Sequence, residues 1–166
     1  MRFPASFTVS TPSDREIRIT RDFDASPAMV FDAFTRPELV RRWLLGPPGW
    51  TMPKCDIDLC VGGAYRYVWR ADADGTQMAV GGTFGEIVIH KRLVATERFD
   101  DAWYSGEALL TTTFSAVDGH TSVTITILYE SQEARDAARR SGMERGMSAG
   151  YDRLERLLES SVGETP

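Results

Sequence analysis

From Glu16 to Phe23 the chain alternates between apolar and polar positions. Ile17, Ile19, Arg21 and Phe23 fall on one side, and Arg18, Thr20 and Asp22 on the other, which predicts a half-buried strand. Ser26-Pro27 then reads as a helix N-cap followed by proline at the first helical position, opening a helix with Val30, Phe31 and Phe34 inward. Pro37 starts a second short helical segment that runs through Trp43, and Gly46-Pro47-Pro48-Gly49 forms a stiff loop. Strand patterns follow near Thr51 to Leu59, over Ala64 to Arg70, roughly Met78 to Ile89, Leu93 to Phe99, about Gly106 to Val117, and Ser122 to Tyr129. In the second of these, Tyr65, Tyr67 and Trp69 share one face, with Arg66, Val68 and Arg70 opposite. Asp74-Gly75 and Asp118-Gly119 supply turns.

The period then changes from two to about 3.6. Ser131 caps a long helix expected over about Gln132 to Ser160, with Glu133 favourable in its first turn. Its apolar stripe is Ala134, Ala138, Met143, Met147, Gly150, Tyr151, Leu154 and Leu158. The charged side holds Glu144, Arg145, Asp152, Glu155, Arg156 and Glu159. A strand, two short helices, a run of six strands and a long helix imply an α+β layout, an antiparallel sheet with helices packed on one face. Gly142, Gly146 and Gly150 recur every four residues inside that helix. Each costs about 0.8–1 kcal/mol relative to alanine, so close approach by the sheet, or by a ligand, is expected to offset them.

Length and charge narrow the class. The 166 residues suit one domain, with residues 1–14 as a loose arm, 15–160 as the domain and 161–166 as a tail. A net charge of −5 without a basic stripe argues against nucleic-acid binding. No apolar run reaches the roughly 20 residues that span a bilayer, and the N-terminus lacks the apolar core of a signal peptide, so a cytoplasmic protein is expected. Cys55 and Cys60, read as lying on one strand, face opposite ways and sit more than about 7 Å apart, beyond disulfide reach. They are expected to be free thiols.

One stretch is distinctive when read whole. Gly62-Gly63 precedes Ala64-Tyr65-Arg66-Tyr67-Val68-Trp69-Arg70, then the Asp72-Ala73-Asp74-Gly75 turn and Gly81-Gly82-Thr83-Phe84-Gly85-Glu86-Ile87. Arg92-Leu93-Val94 and Thr96-Glu97-Arg98-Phe99 follow, and Ser141-Gly142-Met143-Glu144-Arg145-Gly146-Met147 opens the main part of the last helix. Over roughly residues 15 to 160 the chain resembles the START-like (SRPBCC, Bet v 1-type) helix-grip superfamily. It is most similar to the branch named for the homologue of the activator of the heat-shock-protein-90 ATPase. The resemblance implies a curved antiparallel sheet wrapped around a long C-terminal helix, which forms one wall of a cavity, with two short helices after the first strand. It implies binding of a small hydrophobic or aromatic molecule, lipids included, in the cavity between the sheet and the C-terminal helix. It also admits a cyclase or hydrolase acting on a polyketide-like compound, or a chaperone-ATPase interaction. The namesake proteins carry an additional N-terminal domain where this chain has a short arm, which weighs against the last. A homodimer is compatible with it.

The chemistry-bearing residues are sparse. There is no glycine-rich phosphate loop, and His90 and His120 both read as exposed turn residues without a triad or metal partner. No cofactor, metal or catalytic residue is assigned. Asp56 and Asp58 read as a solvent-facing pair, and Asp100-Asp101 as part of a loop. Glu97 lies within a strand pattern. If it points inward it needs a raised pKa or a cation, with Arg66, Arg70 and Arg145 as candidates. Large rings are more informative, because tyrosine and tryptophan combine apolar bodies with polar tips. The candidate cavity set is Trp43, Trp50, Tyr65, Tyr67, Trp69, Phe84, Glu97, Phe99, Trp103, Phe114, Met143, Met147 and Tyr151. Trp43 and Trp50 flank the Gly-Pro-Pro-Gly loop, which is expected near the cavity mouth.

Overall fold

The computed structural model describes residues 6–101, 104 and 106–163. Its strands are β1 (Phe7–Ser10), β2 (Glu16–Phe23), β3 (Trp50–Ile57), β4 (Ala64–Ala71), β5 (Gln77–Val88), β6 (Arg92–Phe99), β7 (Ala108–Val117) and β8 (His120–Leu128). Helices α1 (Pro27–Thr35) and α2 (Pro37–Trp43) follow β2, and α3 (Gln132–Arg140) and α4 (Met143–Gly163) close the chain. All eight strands pair antiparallel in one sheet, ordered β1-β2-β8-β7-β6-β5-β4-β3. This is the helix-grip fold.

Local chemistry explains the short helices. The Ser26 hydroxyl accepts a hydrogen bond from the Met29 N–H, and Pro27 occupies the first turn, where no donor is needed. Val30, Phe31 and Ala33 are buried beneath α1. Register shifts interrupt β3 between Thr51 and Lys54, and β5 between Phe84 and Glu86. Such irregularities bend and twist a strand, and here they curve this end of the sheet.

Four expectations change. Residues 1–14 are not loose throughout, because Phe7–Ser10 pairs with Arg18–Arg21 at the sheet edge. Phe7 reaches the Tyr151 ring, at 6.2 Å between centroids, and four residues are too short to show a period. The long helix is not continuous. Gly142 adopts φ +86, a conformation that L side chains rarely take, and breaks it into α3 and α4. Cys60 lies beyond the end of β3 and is exposed, whereas Cys55 is buried; both are free thiols. His120 is buried rather than exposed, with its Nε2 3.7 Å from the Asp22 carboxylate.

The helical glycines also have a different neighbour from the one expected. A methyl group at Gly150 would stand 3.3 Å from the Trp43 carbonyl oxygen, and one at Gly146 would meet Pro47 and Gly46. The close approach is therefore by α2 and the loop after it, not by the sheet. Trp43 lies in the gap that Gly150 leaves, its indole N–H donating to the Ala33 carbonyl at 2.8 Å. Tyr151, Leu154, Leu157 and Leu158 bury the C-terminal half of α4 against α1 and the sheet.

Arg21 anchors this half. It is the inward-facing cation that the alternation of β2 places beside Ile17, Ile19 and Phe23, and it is 1% exposed. Its guanidinium donates to Asp152 at 3.1 Å and to Glu155 at 3.2 Å, and lies over the Phe23 ring. Glu155, expected on the charged face of the helix, is buried by this pairing. Removing one partner of a buried pair leaves the other charge desolvated. Arg21→Ala is therefore expected to cost about 3–5 kcal/mol. Asp152→Ala, at a half-exposed partner, should cost under about 1 kcal/mol. Urea melts of the two variants check this, and equal losses would refute the clamp. Thiol titration provides a second check. Burial pushes the Cys55 thiol up to about 11. One thiol, Cys60, should react quickly in the native protein and the second only in denaturant. Two fast native thiols would contradict the placement of Cys55.

Candidate functional site

The curved half of the sheet does not close on α4. Between them lies a cavity of about 550 Å³, walled by β4, β5, β6, β7 and β8, the loop after α2, and the α3–α4 junction. The opposite halves of α4 differ accordingly. Leu154 and Leu158 are buried in packed protein, whereas Met143 and Met147 border the void and stay half-buried.

Strand period puts Tyr65, Tyr67 and Trp69 on the cavity face of β4. Tyr65 lies opposite Gly82 on β5, and a side chain there would collide with the tyrosine ring and with the Thr96 carbonyl. The glycine lets the ring lie flat across β5, so that the Tyr65 hydroxyl donates to the Thr96 carbonyl on β6 at 2.6 Å. Trp69 donates its indole N–H to the Leu44 carbonyl at 2.7 Å. From the other side Arg153 donates to the Gly46 carbonyl at 2.6 Å. The Leu44–Pro47 segment, part of the cavity wall, is thus tied to both the sheet and the helix.

Glu97 points into this space. Among the described residues that line the cavity it is the only one bearing an acidic or basic group other than tyrosine. Its neighbours are phenols: the Tyr104 hydroxyl lies 3.5 Å from its Oε1 and donates to it. Tyr104 meets Tyr129 edge-to-face at 5.1 Å, and Tyr65 and Tyr67 stand 5.2 Å apart between ring centroids. Burial pushes the Glu97 carboxyl up to about 7, with the Tyr104 hydrogen bond pulling the other way. The tyrosines are shifted up too, first by burial and then by the Glu97 charge, as at Tyr65 and Tyr104. Protein surrounds the carboxyl, yet part of its surface faces the void. What occupies the cavity therefore bears on its charge.

Of the residues singled out in the sequence, Trp43, Trp50, Tyr65, Tyr67, Trp69, Phe84, Glu97, Phe99, Met143, Met147 and Tyr151 all line the cavity. Trp103 lies outside the described residues. Phe114 does not line it. It packs edge-on against Phe31 and Phe34, where α1 sits directly on the sheet and fills the space. The candidate cations for Glu97 are elsewhere: Arg66 pairs with Asp100 outside, and Arg70 and Arg145 are exposed. Asp56 and Asp58 are exposed as expected. Sequence reasoning missed Tyr104 and the apolar floor of Leu93, Leu110, Ile125 and Ile127. The floor residues were legible as inward strand positions. Tyr104 sits between β6 and β7, where no period exists to orient it. Among the described residues no group of three or more His, Cys, Asp or Glu is placed to hold a metal ion, and no helix is long and apolar enough to cross a membrane.

Comparison with known proteins agrees with this architecture. The sequence model of the family described as "Activator of Hsp90 ATPase homolog 1-like protein" matches residues 24–159. A crystal structure of a Rhodobacter sphaeroides protein is similar at 29% identity, covering 93% of this chain and 99% of its own, with a TM-score of 0.87. A Chromobacterium violaceum protein is 30% identical over 87% of this chain and 97% of its own, with a TM-score of 0.74. An AHSA1-like protein from Aeromonas hydrophila, 20% identical, shares the fold over 86% of this chain and 93% of its own, with a TM-score of 0.70. None of the curated proteins matches the chain.

The carboxyl sets a pH dependence. In the unfolded chain Glu97 loses its proton near 4.5, and in the folded protein near 7. Below 4.5 both states are protonated, and pH has no effect through this group. Between the two values the folded state binds the extra proton, so stability falls as pH rises, then levels off above 7. The full loss is on the order of 3 kcal/mol. Urea melts between pH 5 and 8 should show wild type losing stability relative to Glu97→Gln as pH rises. A constant difference would mean that the carboxyl is solvated in the folded state.

Proposed function

We propose that this chain, which belongs to the activator of Hsp90 ATPase homolog 1-like family, binds a small apolar or aromatic molecule between its sheet and α4. The observation that carries this reading is the cavity of about 550 Å³, partly open to solvent and walled by aromatic and aliphatic side chains with a few polar tips. That combination is typical of small-molecule sites. Met143 and Met147 suit it, since unbranched thioethers adapt to variable shapes. The tied Leu44–Pro47 segment would hold the wall in place with little ordering cost on binding.

A second reading is an enzyme acting on such a molecule, in the manner of a cyclase or hydrolase. One observation favours it: an acid titrating at about 7, beside a tyrosine hydroxyl and inside a cavity, suits proton transfer. Native mass spectrometry of the purified protein for a retained ligand, followed by incubation with that ligand, separates binding from turnover.

Met147→Trp tests the cavity itself. Met147 borders the void one turn from Met143 and from Tyr151. In a filled core the added volume would cost about 1–3 kcal/mol. Here the variant should remain within about 1 kcal/mol of wild type by denaturant melt. It should also lose most of the fluorescence enhancement of the neutral apolar probe N-phenyl-1-naphthylamine. A variant that loses several kcal/mol, in a protein whose wild type binds no probe, would overturn the reading.

A further inference from the structure

We infer that the cavity selects apolar molecules carrying a protonated amine, with Glu97 as the counter-ion and the surrounding phenol rings as a cage for the cation. The inference rests on the cavity-binding reading above and adds the polarity of its occupant.

Two independent features of the wall support it. The first is the charge census. Glu97 is the only carboxylate among the described lining residues, and no lysine, arginine or histidine lines the space with it. The three arginines that could have neutralised it point elsewhere. An ammonium group would supply the missing opposite charge in a poorly solvated setting, where such a pairing favours the ionised carboxylate. A carboxylate-bearing molecule, such as a fatty acid, would instead set a second negative charge beside the first with no cation to offset it.

The second feature is the ring arrangement. Tyr65, Tyr67, Tyr104 and Tyr129 all border the cavity, and the Glu97 charge acts on all four. They form two ring pairs, Tyr65 with Tyr67 and Tyr104 with Tyr129. The Tyr65 hydroxyl is committed to the Thr96 carbonyl, so that residue offers an occupant mainly its ring. Ring faces attract cations through their quadrupole, and more strongly where water is displaced. A neutral apolar ligand would use the rings but not the carboxylate, and an anion would be repelled by both.

The test compares three molecules of one shape: 2-naphthylmethylamine, 2-naphthylmethanol and 2-naphthoate. Each is titrated at pH 8 as a competitor of N-phenyl-1-naphthylamine. The amine should displace the probe at a concentration at least about ten-fold below that needed for naphthoate, with the alcohol between them. Glu97→Gln should compress the amine-to-naphthoate ratio to within about three-fold. The wild-type comparison needs no variant, so a poorly folding Glu97→Gln would not spoil it. If the probe binds wild type and naphthoate competes as well as the amine, amine selection is wrong and the cavity reading survives. A ratio that stays ten-fold in a folded Glu97→Gln also overturns the assignment to Glu97. If neither probe nor amine binds, both readings fall together.

Discussion

The structure depends on where the last helix is fastened. Arg21, buried on β2, holds Asp152 and Glu155 on α4, while Tyr151, Leu154 and Leu158 pack around the same end. Breaking such a pair would strand a charge in the core, which gives this end of the helix a single docking position. Gly150 lets Trp43 approach the helix backbone just ahead of this anchor. Among the described residues the N-terminal half of α4 makes no ion pair with the sheet. There Met143 and Met147 face open space, and the Gly142 break turns α3 away from the axis of α4. A helix fixed at one end against a sheet that curves away at the other leaves a wedge between them, and the wedge is the cavity.

The sheet contributes the matching half of the constraint. Register shifts in β3 and β5 bend the outer strands. The bare glycine at position 82 lets Tyr65 lie along the sheet instead of standing off it. Large rings laid flat line a wall without filling the room in front of it. Where the sheet faces α1 instead, Phe114 packs edge-to-face against Phe31 and Phe34 and is kept out of the cavity wall. The same residue type therefore builds a core at one end of the sheet and a cavity wall at the other. The difference lies in the distance to the helix opposite.

Electrostatically the two ends differ as well. The anchor holds a cation paired with two carboxylates, whereas the described lining of the cavity holds one carboxylate among phenols. A paired charge strengthens a dock, and an unneutralised one beside a void is sensitive to whatever enters. This separation lets the fold keep its stability in one region and its candidate chemistry in another.

Much of this was legible in the chain itself. Alternation located the seven longer strands and put Arg21, Tyr65, Tyr67 and Trp69 on inward faces, because a strand's period is a local property. The Ser26-Pro27 cap, the Asp-Gly turns and the glycine-proline loop likewise depend only on neighbouring residues. The short β1 had too few residues to show a period, and its pairing comes from contact with β2. The remaining differences are questions of distant partners. Glu155 is buried because Arg21, 134 positions away in sequence, needs a counter-charge. Gly146 and Gly150 answer to the loop and helix near residues 43–47, and His120 to Asp22. Glu97 could be placed within a strand, but neither its inward face nor Tyr104 in place of an arginine could be read from the pattern. That choice was made where Tyr104 reaches Glu97 in the cavity wall while the arginines found carboxylates or solvent outside. Local sequence determines which way a side chain points along its own element. Only the packing of elements decides what it meets there, because burial and pairing energies belong to both partners at once.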